Sequence, residues 1–210
     1  TINYTFNYGG GPHPYAGSDL MPGGSYVSAD LTGAFLASAN LANADLSNVN
    51  FTDTALLLAN FSNADLNNSN LSGTGLFGVN LTGVQSGGIT GTPGTLPDDW
   101  ILIGGYLLGP SANLTGADLS NLNLSNADLS NANLSGADLD SAYLTGANLR
   151  GADLTGAILT GNGYGFITGT PAALPTGWQL TNGYLIGPGA CLSNADLSNA
   201  NLSGADLSNA

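Results

Sequence analysis

Apolar residues return along this chain at every fifth position, a spacing that fits neither of the common secondary structures. Ala29-Asp30-Leu31-Thr32-Gly33 sets the pattern, and Ala39-Asn40-Leu41-Ala42-Asn43 and Ala44-Asp45-Leu46-Ser47-Asn48 repeat it. The unit is Ala, Asp or Asn, Leu, Ser or Thr, Gly or Asn. Twenty-five units keep one register within three blocks, with centres at 31 to 81, 114 to 159 and 192 to 207; Leu holds 23 of these centres, and Phe51 and Phe61 hold the others. On an α-helix every fifth residue advances by about 140°, which would scatter the leucines around the axis. In a flat strand successive leucines would fall on opposite faces, because the side-chain period is two. Only a chain that turns by a constant amount every five residues keeps them all inside. The Asn, Gly, Ser and Asp between the leucines suit such turns, because they tolerate tight or left-handed backbone.

These units resemble the pentapeptide repeat family. The resemblance implies an all-β fold, a right-handed quadrilateral β-helix in which four pentapeptides make one square coil of about 20 residues. It also implies that the centre Leu and the Ala two before it point inward, which places Leu119, Leu129, Leu139 and Leu149 in the core. Coils would stack at about 4.8 Å, and each inward Leu would contribute about 1.5–3 kcal/mol of burial. The inward Ala slot departs from consensus at Val49, Thr54, Ser69, Thr74, Val79 and Leu122, so the block from 49 to 81 is the least regular. The family is functionally diverse, and the resemblance points to a fold more sharply than to a function.

Two segments interrupt the period. Residues 84–111 and 162–189 align at an offset of 78 without a gap, and 17 of the 31 positions from 84 to 114 are identical to those 78 later. A second-order repeat therefore lies above the five-residue one. Each insert reads as a modified coil with a protruding Pro-rich loop, roughly 89–99 and 167–177, over whose base Trp100 and Trp178 pack. Trp100, Tyr106, Trp178 and Tyr184 form a candidate insert surface, since paired aromatics are favoured at interfaces; the competing reading is structural decoration of the coil. The chain is expected to be one continuous solenoid: an N-terminal strand, arm or cap over 1–16, β-helix blocks over 17–83, 112–161 and 190–210, and the inserts over 84–111 and 162–189.

The two ends differ from the repeat. Ile2, Tyr4, Phe6 and Tyr8 alternate with Thr and Asn, which predicts a β-strand, and Gly9-Gly10-Gly11-Pro12 breaks it. That strand is either a cap on the first coil or an arm to another subunit. The sequence stops one residue after Ala205-Asp206-Leu207-Ser208-Asn209, without a capping segment, and a bare coil end is a template for edge-to-edge pairing. End-to-end, head-to-tail self-association through Ile2, Tyr4, Phe6 and Tyr8 at one end and Ala205 and Leu207 at the other is the expected assembly.

Composition narrows the function. Charged residues make up only 7% of the chain; all fourteen acidic ones are Asp, and Arg150 is the lone base, for a net charge of -13. This balance argues against binding nucleic acid by counterion release. No apolar run approaches the roughly 20 residues of a membrane span, so membrane insertion is not expected. No catalytic residue is identified: His13 sits in a Gly- and Pro-rich stretch, and the many serines lack a general base. No cofactor is implied, although Asp45 and Asp65, or Asp118 and Asp138, stacked one coil apart, could hold calcium weakly. Cys191 in an outward slot reads as an exposed thiol. A non-enzymatic structural protein, extracellular or at the cell surface and self-assembling into a filament, fits these features. The alternatives are a protein-interaction adaptor and a DNA-mimicking topoisomerase inhibitor, the latter because some proteins of the resembled family match duplex DNA in width and charge.

Overall fold

A computed structural model describes residues 20–161 and 165–210. Ile2, Tyr4, Phe6, Tyr8 and His13 lie outside the described residues, as do the first three positions of the second insert, 162–164. The described residues contain short strands, bridges and turns and no helix. The chain divides into two compact units, Thr1–Leu107 and Leu108–Ala210.

The backbone hydrogen bonds of a single pentapeptide account for the repeat. Asp45 N–H donates to Gly24 O at 2.9 Å and Leu46 N–H to Asp65 O at 2.8 Å. Asn48 N–H donates to Asn67 O at 2.8 Å, and Val49 N–H closes a turn on Leu46 O at 3.3 Å. Ser47 N–H has no ladder partner, and the Asp45 carboxylate accepts it at 3.1 Å. All five donors of the unit are thereby satisfied, as buried or half-buried backbone requires. Asp or Asn before the centre is the residue that completes this set, because its short side chain reaches the N–H two residues on.

The corner dictates the last position of the unit. Residue two after the centre has φ near +60° throughout, as at Asn43 (60°), Asn48 (60°), Asn63 (56°) and Gly73 (65°). A turn whose third residue has positive φ favours Gly or Asn there, which is the observed consensus. Ser38, Asp53 and Ser141 also take it, as do two bulky residues, Leu58 (φ 58°) in the first unit and Phe166 (φ 59°) in the second; such a conformation costs a bulky residue about 1–2 kcal/mol.

Coils pair in parallel through isolated bridges. In the first unit these run from Ser25↔Asp45 to Gly75↔Thr95, and in the second from Asn113↔Asn133 to Asp153↔Ala173. Each partner is four pentapeptides away along the chain, so one unit's corner lies over a corner of the coil before it. Inside, Leu31, Leu36, Leu41 and Leu46 are sealed from solvent, as are Leu119, Leu129, Leu139 and Leu149. Phe51 and Phe61 fill two centres with ring centroids 5.9 Å apart, a tilted contact that adds to their burial. Of the irregular inward slots, the three that carry a hydroxyl follow one chemical rule with one exception. Thr54 and Thr74 each donate the hydroxyl to a backbone carbonyl, Leu31 O and Phe51 O, at 2.7 Å. The Ser69 hydroxyl is equally buried and has no partner.

The described parts of the two inserts repeat the same hairpin and turn bonds. Strands β1 (Ile101–Ile103) and β2 (Tyr106–Leu108) form a hairpin, as do β3 (Gln179–Thr181) and β4 (Tyr184–Ile186). The second hairpin pairs Gln179 with Ile186, Leu180 with Leu185 and Thr181 with Tyr184. Their two-residue turns, Gly104-Gly105 and Asn182-Gly183, have positive φ at both positions, the requirement of a tight hairpin that follows strand twist. Ile89 N–H donates to Gly105 O and Ile167 N–H to Gly183 O; Trp100 N–H donates to Pro97 O and Trp178 N–H to Pro175 O. The Pro-rich segments project less than the sequence suggests. Thr90 and Thr95 still pair with Asn70 and Gly75, and Thr168 and Ala173 with Asn148 and Asp153, so the ladder carries through the first half of each expected loop.

Three substitutions test the core. Leu129→Asp places an unpaired carboxylate in a sealed column and is expected to lower stability by at least about 4 kcal/mol, read by urea unfolding. Ser69→Ala removes the unpartnered hydroxyl and is expected to raise stability by about 1 kcal/mol, whereas Thr74→Ala breaks a made bond and is expected to lower it by about 1–2 kcal/mol. Equal effects of the two alanine changes would contradict the assignment of these hydroxyls.

Candidate functional site

The outward polar groups of the repeat are largely committed to the fold itself. Asp30 accepts both the N–H of Thr32, at 3.1 Å, and its hydroxyl, at 2.5 Å. Asp118 does the same for Ser120, at 3.2 and 2.7 Å, and Asp153 for Thr155, at 2.9 and 2.6 Å. This explains Ser or Thr after the centre: its hydroxyl adds a second donor to the same carboxylate oxygen. Asp118, Asp153 and Asp196 are held below the ordinary carboxylate value of 3.8, first by the hydroxyl two residues on and then by its N–H. In Asp206 the order is reversed, with the Ser208 N–H contributing most.

Asn does what Asp cannot, because it can also donate. Asn50 Nδ2 donates to Asp30 Oδ1 at 3.3 Å, and Asn70 Nδ2 to Asn50 Oδ1 at 3.3 Å. Asn60 and Asn80 extend a second ladder from Asn40, and Asn148 donates to Asp128 at 3.1 Å. Asn over Asp is thus a bridge between coils. Asp45 over Asp65 and Asp118 over Asp138 set one carboxylate residue above another, and among the described residues no three His, Cys, Asp or Glu side chains gather as a metal site would require.

The insert aromatics pack onto their own coils. Trp100 is half-buried against the first unit's core, and Tyr106 lies over Gly87, where a Cβ would stand 3.2 Å from its ring. In the second unit Trp178 covers Gly187 so closely that a Cβ there would sit 2.3 Å from the indole. Tyr184 covers Gly165, stacks at 6.1 Å from Phe166, and accepts the Asp196 N–H on its hydroxyl at 3.3 Å. Of the proposed assembly residues that are described, Ala205 is half-buried and Leu207 is 42% exposed. Cys191 is free and exposed, with its Sγ 3.8 Å from Ser193 Oγ.

One surface was not anticipated from the period of five. Phe35, Leu57, Leu58 and Phe77 are 56%, 46%, 59% and 61% exposed, and all four belong to units centred on Leu36, Leu56 and Leu76, which stack in successive coils on one face. The signal becomes visible only when the sequence is read four units at a time: Phe35, Ala55 and Gly75, joined by bridges, occupy the slot that Asp or Asn fills on the neighbouring faces.

The family model described as "Pentapeptide repeats" matches in eight copies over residues 27–56, 44–83, 111–146, 123–161 and 189–210. The chain belongs to the pentapeptide repeat family. No curated protein matches it in sequence. Among solved structures it is similar to HetL, a pentapeptide repeat protein involved in heterocyst differentiation regulation in the cyanobacterium Nostoc, at 30% identity over 64% of this chain and 54% of that one, with TM-score 0.32. The match spans about half of HetL's length. A pentapeptide repeat protein of the Arabidopsis thaliana thylakoid lumen is 25% identical over 70% of this chain and 75% of its own, with TM-score 0.26. A third, Rfr23 of the cyanobacterium Cyanothece, is 23% identical over 72% of this chain and 86% of its own, with TM-score 0.19. The family assignment rests on the matched repeats, and the superpositions add nothing to it at these scores.

In this pentapeptide repeat protein the Asp118–Ser120 and Asp153–Thr155 corners titrate as part of the fold. A carboxylate whose folded value is lowered contributes stability that is present above the unfolded value, near 3.8, and lost as the pH falls through the lower folded value. A carboxyl-carbon NMR titration is expected to place Asp118 below 3.8, and Ser120→Ala to move it back toward that value. An Asp118 midpoint unaffected by that change would remove the hydroxyl as the main cause.

Proposed function

We propose that this chain is a non-enzymatic structural or assembly protein: a right-handed quadrilateral β-helix with four pentapeptides per coil and two homologous modified coils, joining end to end with copies of itself outside the cell or at its surface. One observation carries the reading. The carboxylates and hydroxyls that would have to perform chemistry are engaged in the corners of their own units, as at Asp30–Thr32, Asp118–Ser120 and Asp153–Thr155. A surface so committed presents shape and spacing rather than reactive groups. The coil-to-coil ladder is also made of bonds that another copy can continue in the same register, which is strand addition. The alternating apolar sequence Ile2, Tyr4, Phe6 and Tyr8 has the pattern such a joint needs, and Ala205 and Leu207 lie in the coil proposed to receive it. Joining unlike ends is a heterologous contact and gives open filaments unless rotation closes it. A chain with a single basic residue, Arg150, offers trypsin-like proteases almost nothing to cut, which suits an exposed polymer.

A second reading, a DNA-mimicking topoisomerase inhibitor, is favoured by the net charge of -13 and is tested by the same material in a DNA supercoiling assay. Electron microscopy in negative stain decides the first. Fibres are expected at moderate salt, where repulsion between the subunits is screened, and deletion of residues 1–8 is expected to abolish them while circular dichroism stays unchanged. A deletion variant that still polymerises, or an intact chain that remains monomeric at high concentration, rejects end-to-end assembly.

A further inference from the structure

We propose that the face of the first unit carrying Phe35, Leu57, Leu58 and Phe77 is a lateral self-association surface, on which a second copy of the chain seats coil against like coil. It uses none of the residues assigned to end-to-end assembly and stands independently of it.

The face is built against the rule that governs its neighbours. At Phe35, Ala55 and Gly75, three successive coils give up the Asp or Asn whose side chain would accept the N–H two residues on. The corners at Ala37, Leu57 and Phe77 therefore lack the side-chain acceptor present at Ser47, Thr52 or Ser72. Leu58 takes a left-handed backbone position that suits Gly or Asn, and Gly78 stands in the next coil where a Cβ would press to 2.8 Å on the Leu58 Cδ2. Local stability is thus set aside, in consecutive coils, for exposed apolar side chains gathered on one side. Scattered apolar residues on a surface are ordinary; a contiguous patch marks an interaction site.

Charge points to what covers it. The chain carries -13, so two copies repel one another. The flanking face of the units centred on Leu31 and Phe51 bears Asp30 and Asp53, and the opposite face, of the units centred on Leu46 and Leu66, bears Asp45 and Asp65, whereas the outward slots 35, 37 and 38, 55, 57 and 58, and 75, 77 and 78 contain no ionisable group. Two copies can meet on this face without burying carboxylates against each other.

The pattern is also complementary to itself. In each coil one flank of the centre is large and the other small: Phe35 and Ala37, Ala55 and Leu57, Gly75 and Phe77. A two-fold axis along the stacking direction exchanges the flanks, so each large side chain of one copy faces the small residue of the same coil in the other. That is an isologous contact, closed at two copies. Three coils at about 4.8 Å and a side on the order of 10 Å give roughly 150–200 Å² per copy, well under the roughly 800 Å² per partner of a stable complex. The association is accordingly weak and needs high concentration.

Sedimentation equilibrium of the full chain from about 10 µM to about 1 mM tests this. The weight-average mass is expected to rise toward that of two copies, and to rise further with salt as repulsion is screened. The variant Phe35→Asn, Leu57→Ser, Phe77→Thr, which restores residues common in these slots, is expected to associate at least tenfold more weakly with unchanged thermal unfolding. Tyr143→Asn, an exposed aromatic of the second unit, is expected to leave association as it is. A wild-type chain that stays monomeric throughout overturns the proposal, as does a triple variant that associates like the wild type. Open-ended growth that the triple change does not affect belongs to an end-to-end contact and equally overturns the lateral one.

Discussion

The backbone ladder between coils is the interaction on which the rest depends, and the corner hydrogen bond completes it. Four of the five backbone donors in a unit are satisfied by the ladder or the turn; the fifth, after the centre, is left facing outward with nothing to bond. Asp45 accepts it for Ser47, Asn50 for Thr52 and Asn70 for Ser72. With the ladder and turn bonds made, the chain bends in the same way in each unit, including the corners at Leu57 and Phe77 where the acceptor is missing; the leucines converge, and coils come into register four units apart. Leucine burial supplies most of the stabilisation, but it acts only on a backbone already bent to bring the side chains inward.

The corner bond limits what the surface can do. An Asp that accepts an N–H and a hydroxyl has its nearer oxygen occupied and its charge stabilised, which makes it a poor general base. Asn residues that donate to the coil before are likewise engaged. A repeat solenoid of this composition therefore gains function where units depart from consensus. The departures fall into two kinds here. In the inserts a hairpin replaces two regular units, and its aromatics cover glycines of adjacent backbone, Tyr106 on Gly87 and Trp178 on Gly187; these are packing solutions. On the Phe35–Phe77 face the ladder is intact and only outward residues change, so packing does not explain them.

Much of the architecture was legible in the chain. The period of five excluded helix and flat strand and identified the inward positions, and Leu119, Leu129, Leu139 and Leu149 are sealed. The equivalence of the inserts followed from the 78-residue offset, and the hairpin turn at Asn182-Gly183 has the residue pair that such turns favour. That Asp and Asn close the spare donor is a matter of side-chain reach rather than of hydrophobic periodicity, and it shows in the bonds from Ser47 N–H to Asp45 and from Thr52 N–H to Asn50. The projection of the Pro-rich segments was overestimated: Pro93 and Pro97 signal a turn, while Thr90 and Thr95 before and between them keep ladder bonds that any residue but proline can make.

Sequence by itself determined the unit: which residue goes inward, which takes the left-handed corner, and which closes the spare donor, all of them interactions contained within a single pentapeptide or its turn. The tertiary structure decided what lies beside what on the outside. Neighbours on a face are four units apart along the chain, and their adjacency exists only after coils stack. Parallel pairing sets each unit over the one a full coil later, while chain neighbours turn the corner onto another face. Phe35, Leu57 and Phe77 are ordinary residues one by one along the chain. They become a single apolar surface because the ladder's register, a long-range property of the backbone hydrogen bonds, places their units one above another.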